Sequence, residues 1–180
     1  MTQLRAKSLA SGPMLELAER LAARASAADA RLIVNDRLDV ALLAGADGVH
    51  VGQDDLTPVA VRRACADKTD RRFIVGLSTH NDVQLAAGLD APVSYLAIGP
   101  VFATTTKARP DPVVGLSGVR AARARIASRA VPLVAIGGID ETNARSVIDA
   151  GADTVAVAGG LIERDAASRA RALLRVLSNS

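Results

Sequence analysis

The chain has 180 residues, of which 49% are hydrophobic and 23% are charged. This apolar content supplies a folded domain with a substantial core and excludes a chain that is disordered along most of its length. The net charge of +3 is small and only 2% of the residues are aromatic, which disfavours a protein that stacks single-stranded nucleic acid on aromatic rings.

Short β-branched runs alternate with longer stretches rich in Ala, Leu and Arg. The runs predict strands over residues 31–35, 48–51, 72–76, 94–98, 132–136 and 153–157. In the first segment Gln3, Arg5 and Lys7 alternate and would point to one face of an extended strand over residues 3–7. The stretches between them predict helices over residues 14–25, 58–66, 81–89, 117–127, 142–150 and 161–177. Several of the strands are apolar throughout, as parallel strands covered on both faces are. Repeated βα units of this kind predict a parallel α/β fold, either doubly wound or closed into a barrel.

Two features favour a TIM (β/α)8-type barrel. The stretch AGADGVHVG at residues 44–52 is echoed by AGADTVAVAGG at residues 150–160, and internal repeats suit a barrel of βα units. Polar residues also follow the strands directly, where barrels carry their functional residues. No linker rich in Gly or Ser divides the chain, so we predict a single domain over residues 1–180.

Cysteine content and hydropathy indicate the compartment. Cys65 is the only cysteine, which excludes an intramolecular disulfide and a thiolate zinc site, and its helical context predicts a small buried hydrophobe. No apolar run approaches the roughly 20 residues of a membrane-spanning helix, and residues 1–5 have no signal-peptide core. We therefore expect a cytoplasmic protein that binds neither membranes nor nucleic acid.

The charged residues that follow strands are candidates for chemistry. Lysine occurs only at positions 7, 68 and 107 among many arginines, and Lys7 and Lys107 stand at strand ends, where a compact ammonium meets a phosphate. Lys68 is interpreted as a solvated surface residue. Asp36 and Asp55 are candidate Mg²⁺ ligands, because Mg²⁺ takes one or two carboxylates together with substrate phosphates. The alternative is that each aspartate caps the helix that follows it.

Two glycine pairs and one histidine are also open to two interpretations. Gly137-Gly138 and Gly159-Gly160 follow the last two strands, where barrels bind phosphate through backbone N–H groups, but each pair is also compatible with a tight turn. His80 is either a proton shuttle or a polar cap of the following helix, and taken alone the cap is the simpler interpretation.

Seven short motifs, spread in order over nearly the whole chain, carry a family resemblance. They are QLRAK at residues 3–7, VNDR at 34–37, GVHVGQDD at 48–55, GLSTH at 76–80, GPVF at 99–102, TTTK at 104–107 and AIGGI at 135–139. Together they resemble the motifs of the thiamine-phosphate synthase family. The resemblance implies a TIM barrel that joins hydroxymethylpyrimidine diphosphate to thiazole phosphate, giving thiamine phosphate and pyrophosphate with the assistance of Mg²⁺.

Matched motif by motif, the resemblance also implies individual roles. The residues that would hold the pyrimidine diphosphate are Gln3, Arg5, Lys7, Asn35, Ser78 and Lys107, with His50 near the pyrimidine. The residues that would hold the thiazole phosphate are Thr104, Thr106, Gly138, Ala158 and Gly159. Leu4, Ala6 and Thr105 lie inside the same motifs and are included among the substrate-binding residues. Arg5, Lys7, Ser78 and Lys107 would be catalytic, and Asp36 and Asp55 would hold Mg²⁺.

The sequence departs from the family at two places. Gly159 stands where the family usually has Ser, so a hydroxyl group toward the phosphate is lost. The family also has a strand and a helix before the Gln3–Lys7 strand, so the chain has seven βα units instead of eight and is expected to lack the first.

Two alternative functions remain open from the sequence. One is a thiazole tautomerase with His80 as its acid or base. It is disfavoured because tautomerisation needs no diphosphate or metal site, whereas the chain retains Arg5, Lys7, Asp36, Asp55 and Lys107. The other is a non-catalytic, phosphate-binding remnant of the family. The expected partners are small-molecule substrates, and the sequence leaves a homo-oligomer open.

Overall fold

A computed structural model of the chain describes residues 1–66, 73–104, 111–127, 129–159 and 165–178. Within these residues strands and helices alternate, as the sequence predicts. The strands are β1 (Thr2–Leu4), β2 (Leu32–Asn35), β3 (Gly48–Val51), β4 (Ile74–Thr79), β5 (Tyr95–Ile98), β6 (Leu133–Ile136) and β7 (Thr154–Ala156). The helices are α1 (Ser11–Ala27), α2 (Leu38–Leu43), α3 (Pro58–Cys65), α4 (Asp82–Leu89), α5 (Gly115–Ile126), α6 (Ala144–Asp149) and α7 (Ala166–Ser178).

The described elements form two compact units, Met1–Ser78 with Ala91–Ser94 and Thr79–Asp90 with Tyr95–Ser180. In the first unit β1 to β4 pair in parallel and in chain order, with Thr2 opposite Leu32 and Gly48 opposite Ile74. In the second unit β5, β6 and β7 pair in the same way, with Ala97 opposite Val134 and Val134 opposite Thr154. Each unit therefore has the parallel β-sheet that the apolar runs predict.

The strands are the most deeply buried part of each unit. All four residues of β3 and all four of β5 are buried, as expected for parallel strands covered on both faces. In the first unit, α1 buries Met14 and Ala18, and α3 buries Val61 and Cys65. Cys65 is thus the buried apolar side chain that the sequence predicts. Among the described residues no helix is long and apolar enough to span a bilayer.

The repeated AGAD sequence fixes the starts of neighbouring strands. In the first unit Asp47, just before β3, accepts hydrogen bonds from the Leu32 N–H at 2.8 Å and from Arg31 at 2.7 Å. In the second unit Asp153, just before β7, accepts from the Leu133 N–H at 2.7 Å and from Arg123. The repeat therefore serves packing, at the opposite strand ends from the candidate site residues.

One expectation about the elements was wrong, and one short helix was not predicted. The alternation of Gln3, Arg5 and Lys7 on one strand face fails, because β1 ends at Leu4 and Lys7 lies in the turn after it. Only Thr2 to Leu4 have ladder partners on β2, so nothing keeps the chain extended beyond them. The short helix α2 was not predicted, because six residues reading LDVALL are too few to show a helical period.

Candidate functional site

The polar residue after β2 has an unusual backbone conformation. Asp36 has a positive φ of 63°, which is uncommon for a residue that carries a side chain. Its N–H donates to the carbonyl oxygen of His50 on β3 at 2.8 Å, and this bond holds the strained turn. Strain of this kind is found where the position of a side chain matters.

Charges of both signs meet at Asp36. Lys7 Nζ lies 2.9 Å from Asp36 Oδ2, and the Asp36 side chain is only 21% exposed. Burial raises the pKa of Asp36, the hydrogen bond from Lys7 opposes that rise, and the nearby Asp55 carboxyl adds to it. Two carboxyl groups are therefore close enough to compete for one proton, beside a single ammonium.

Asp55 is positioned by a tight turn after β3. Its Oδ2 accepts a hydrogen bond from the Gly52 N–H at 2.8 Å. A Cβ on residue 52 would lie only 3.1 Å from the same oxygen, so glycine permits this approach. Neither Asp36 nor Asp55 caps a helix, because α2 and α3 begin after Arg37 and Thr57, and the Thr57 side chain caps α3. The capping alternative is therefore wrong for both aspartates.

Ser78 is held from two sides near the end of β4. His50 Nε2 lies 2.7 Å from Ser78 Oγ, and Gln53 Nε2 donates to the Ser78 carbonyl oxygen at 2.6 Å. Burial lowers the pKa of His50 to about 4, with a small opposing effect from Asp55. The imidazole is therefore neutral at pH 7 and fixes the Ser78 hydroxyl without adding charge.

A pocket of about 200 Å³ opens beside Lys7 and Asp36. Its lining consists of Ala6, Lys7, Leu9, Met14, Asn35, Asp36 and Arg37. The guanidinium of Arg37 binds both carboxylate oxygens of Asp39 at 2.6–2.8 Å and the Ser11 hydroxyl at 3.0 Å. Arg37, which our sequence reasoning missed as a pocket residue, thereby ties the start of α1 to the start of α2.

In the second unit, Gly137-Gly138 forms the turn after β6. Both residues have a positive φ, of 98° and 64°. A Cβ on residue 137 would lie 2.5 Å from Pro100, and one on residue 138 would lie 2.5 Å from the Ala103 carbonyl oxygen. The pair is therefore required for conformation and for close approach, and it holds the segment that leads into Thr104.

In the same turn the carbonyl oxygen of Gly138 accepts a hydrogen bond, whereas its N–H has no partner among the described residues. Asn143 Nδ2 donates to the Gly138 carbonyl oxygen at 3.0 Å. Within the described part of the chain the Gly138 N–H makes no hydrogen bond to another backbone or side-chain group. An unpaired N–H in a glycine turn after a late strand suits an anion such as phosphate. Sequence reasoning missed Asn143, because an Asn before a helix reads as an ordinary cap.

His80 does not cap the following helix. Asn81 is the cap, since its Oδ1 accepts from the Gln84 N–H at 3.0 Å. His80 Nδ1 lies 2.5 Å from the Gly99 carbonyl oxygen, and its Nε2 lies 3.4 Å from Asp111 Oδ2. Both ring nitrogens thus face protein acceptors, an arrangement that suits a structural link better than a proton shuttle.

The remaining predicted residues fall into three groups. Gln3, Leu4, Arg5, Ala6 and Asn35 lie in the first unit, on β1, just after it, or at the end of β2. Ala158 and Gly159 lie in the second unit after β7, and both are exposed. Thr105, Thr106 and Lys107 lie outside the described residues.

Comparison with known proteins places the chain in a family. The family pattern described as thiamine monophosphate synthase matches residues 1–161. The chain belongs to this family. The thiamine-phosphate synthase of Koribacter versatilis is 51% identical over 86% of this chain and 69% of its own length. That of Chloroflexus aurantiacus is 41% identical over 98% of this chain and 78% of its own.

A solved structure supports the same assignment. Thiamine phosphate pyrophosphorylase from Pyrococcus furiosus aligns with a TM-score of 0.85 at 30% identity, over 97% of this chain and 81% of that one. The predicted fold class, α/β of the TIM-barrel type, is thereby confirmed for this member of the thiamine monophosphate synthase family. The chain is shorter than each of these relatives.

Proposed function

We propose that this chain condenses hydroxymethylpyrimidine diphosphate with thiazole phosphate, releasing pyrophosphate and forming thiamine phosphate. Membership of the thiamine monophosphate synthase family, over residues 1–161, supports this transferase reaction and its small-molecule substrates. The observation that carries the proposal is the meeting of Lys7, Asp36 and Asp55 after β1, β2 and β3. An ammonium beside two carboxyl groups suits a metal-bound diphosphate.

The carboxyl pair fits Mg²⁺. Asp36 and Asp55 offer hard oxygen ligands. Burial raises the pKa of Asp36 most and the Asp55 carboxyl adds to that rise, so a divalent cation between the two carboxylates would relieve their mutual repulsion. No cluster of three or more His, Cys, Asp or Glu side chains occurs among the described residues. Two protein carboxylates match Mg²⁺ nonetheless, since this ion keeps several waters and substrate phosphates as ligands. When bound, Mg²⁺ would neutralise charge on the departing pyrophosphate.

The other residues of the first unit are assigned to the pyrimidine diphosphate. Lys7 and Arg5 would bind phosphate oxygens, and Ser78 would donate or accept through the hydroxyl that His50 fixes. Gln3, Leu4, Ala6 and Asn35 would line the pyrimidine and diphosphate site, with His50 near the pyrimidine. Arg5, Lys7, Ser78 and Lys107 are proposed to be catalytic, because they would stabilise charge that grows on the leaving group.

The second unit is assigned to the thiazole phosphate. Thr104, Thr106, Gly138, Ala158 and Gly159 would bind it, with the N–H of Gly138 as one donor, and Thr105 is included among the substrate-binding residues. No strong base is needed for the chemistry. The bond from the pyrimidine methylene carbon to the diphosphate oxygen breaks, pyrophosphate keeps the electron pair, and the lone pair of the thiazole nitrogen forms the new C–N bond.

The proposal is tested by incubating the chain with both substrates, in Mg²⁺ or in EDTA, and following pyrophosphate and thiamine phosphate together. We expect equal amounts of both products in Mg²⁺ and little of either in EDTA. Asp55→Asn should lose activity, whereas Asp54→Asn, at the neighbouring carboxylate, should keep it. Binding of both substrates without product would identify a non-catalytic remnant and overturn the proposal. A cytoplasmic location stays a prediction from the sequence.

A further inference from the structure

We infer that Asn143 is a positioning residue for phosphate binding at the Gly138 turn, because its side-chain amide fixes the peptide group between Gly138 and Ile139. The N–H of Ile139 in that peptide group would be a second phosphate donor beside the N–H of Gly138. This inference rests on the proposed function, in which Gly138 binds the thiazole phosphate. It assigns to Asn143 a role in substrate affinity and none in the making or breaking of bonds.

The Asn143 amide bridges the loop between β6 and α6. Its Nδ2 donates to the Gly138 carbonyl oxygen and its Oδ1 accepts from the Asp140 N–H, both at 3.0 Å. Since a backbone carbonyl accepts only and a backbone N–H donates only, these two partners fix which end of the amide is nitrogen. A single planar group therefore holds two peptide groups of the loop in a fixed relationship.

The orientation of the Gly138 carbonyl decides what a phosphate encounters. In a trans peptide the C=O of Gly138 and the N–H of Ile139 point in opposite directions. Asn143 binds the carbonyl oxygen, so that oxygen is turned toward α6 and the Ile139 N–H is turned the other way. Glycine at φ 64° has wide conformational freedom, and a rotated peptide would present an oxygen to the anion in place of a donor.

The Asn143 side chain makes this bridge and does not cap α6. It occupies the position before α6, where an Asn side chain normally accepts from the first turn of the helix, yet it makes no such capping bond. Asn81, at the equivalent position before α4, does cap its helix, at 3.0 Å from the Gln84 N–H. Because the Asn143 side chain binds the loop and leaves the first turn of α6 uncapped, we infer that the loop conformation matters for function.

The loop around the bridge is otherwise well supported. The Asp140 carboxylate accepts from the Thr142 N–H at 2.8 Å and from its hydroxyl at 2.6 Å, and the Ala144 N–H donates to the Asp140 carbonyl oxygen at 2.9 Å. These bonds do not involve the Asn143 side chain. Loss of that side chain should therefore free the Gly138 peptide while the start of α6 stays folded.

The test compares Asn143→Ala and Asn143→Ser with Asn81→Ala, which removes a true cap elsewhere in the same unit. We expect both Asn143 variants to raise the KM and the Kd for thiazole phosphate about tenfold, the loss of one positioned hydrogen bond. Their KM for the pyrimidine diphosphate should not change. Amide exchange at Gly138 and Ile139 should accelerate, and Asn81→Ala should lower the melting temperature without changing either constant.

The outcomes separate this inference from the proposed function. A wild-type chain that condenses both substrates, with Asn143 variants that bind thiazole phosphate as tightly as it does, overturns the positioning role alone. Asn143 variants that lose affinity for both substrates equally overturn it as well, since that pattern reports general unfolding. A wild-type chain that binds no thiazole phosphate overturns both proposals.

Discussion

Lys7 Nζ lies 2.9 Å from Asp36 Oδ2, so the ammonium assigned to the diphosphate pairs with a carboxylate assigned to the metal. Binding of a metal diphosphate would exchange this pair for two others, Lys7 with phosphate and Asp36 with Mg²⁺. The partly buried Asp36 carboxylate therefore has a partner before the substrate arrives, whereas the Lys7 side chain is 58% exposed.

Removing the Lys7 ammonium should affect both the Asp36 carboxyl and the binding of the pyrimidine diphosphate. Lys7→Met keeps the length of the side chain and removes its charge, so the pKa of Asp36 should rise further, because burial and Asp55 raise it and only Lys7 opposes them strongly. A carbon-detected NMR titration of Asp36 measures this directly. The KM for the pyrimidine diphosphate should rise at least about tenfold. Lys68→Met is the matched control, and an unchanged Asp36 pKa in Lys7→Met would exclude the proposed coupling.

Asp36→Asn and Asp55→Asn should lower turnover and weaken its dependence on Mg²⁺ without harming the fold. The raised pKa of Asp36 means that folding favours its protonated form, so its contribution to stability is present below its ordinary pKa of 3.8 and is lost as the pH rises through the folded value. At pH 7 the ionised carboxylate therefore costs stability, and Asn, which tolerates a positive φ, removes that cost.

The measurement is the melting temperature in EDTA beside kcat in Mg²⁺. We expect the melting temperature of Asp36→Asn to equal or exceed that of the wild type. Asp54→Asn is the control for charge alone. A melting temperature that falls as far as that of a core variant, with turnover retained per folded molecule, would make the two aspartates structural.

His50 should make folding sensitive to mild acid. The pKa of His50 in the folded chain is about 4, below the ordinary 6.5. Between these two pH values His50 is therefore protonated in the unfolded chain and neutral in the folded chain. Stability is thus full above pH 6.5 and falls as the pH drops toward 4, by on the order of 2 kcal/mol at pH 5. Urea unfolding of the wild type and His50→Gln at pH 7.5 and pH 5 should show a smaller loss in the variant. Ser78→Ala, which keeps the buried ring, should retain the full loss.

Asp47 should stabilise the first unit at neutral pH, and this stabilisation should be lost in acid. Burial raises the pKa of Asp47, but the hydrogen bonds from Arg31 and the Leu32 N–H outweigh it and leave the pKa below 3.8. That contribution is present above pH 3.8 and lost as the pH falls through the folded value. Asp47→Ala should lower the free energy of unfolding by about 1–3 kcal/mol, since the Leu32 N–H loses its side-chain partner.

The control for Asp47 is Asp149→Asn, which breaks the exposed pair with Arg145 on α6 and should change stability by less than about 0.5 kcal/mol. Turnover per folded molecule should stay at the wild-type level in both variants. Equal stability of Asp47→Ala and the wild type would show that the hydrogen bond before β3 contributes nothing.

The strands and long helices were predictable because burial on both faces leaves apolar runs in the sequence. β3 was predicted with its observed bounds, and β2, β5 and β6 to within a residue at one end. The end of β1 was not predictable, because it depends on where the pairing with β2 stops. The residues near the carboxyl ends of strands, such as Asn35, His50 and Ser78, were found for the same reason as the strands.

Residues whose side chains position other groups through hydrogen bonds could not be recognised from the sequence. The bridge from Asn143 to Gly138 and the fork from Arg37 to Asp39 are made by ordinary residue types at ordinary positions. His80 misled because a polar residue before a helix suggests a cap, and only the structure shows that the next residue, Asn81, makes that bond. The sequence shows which polar side chains lie near the ends of strands and helices. Which hydrogen bonds those side chains make depends on tertiary contacts.

Replacing Gly159 by Ser would place a hydroxyl group after β7. The sequence resemblance predicts a Ser in the family at the position of Gly159. Gly159 is exposed in the second unit, so a side chain there should not disturb the core. Gly159→Ser should lower the Kd for thiazole phosphate by about threefold to tenfold, the gain from one hydrogen bond to a charged oxygen. Gly159→Ala is the matched control, because it adds the same Cβ without the hydroxyl and should leave the Kd unchanged or raise it. Calorimetric titration of both variants decides the point: if Ser and Ala change the Kd alike, residue 159 contacts the phosphate through its backbone alone or not at all.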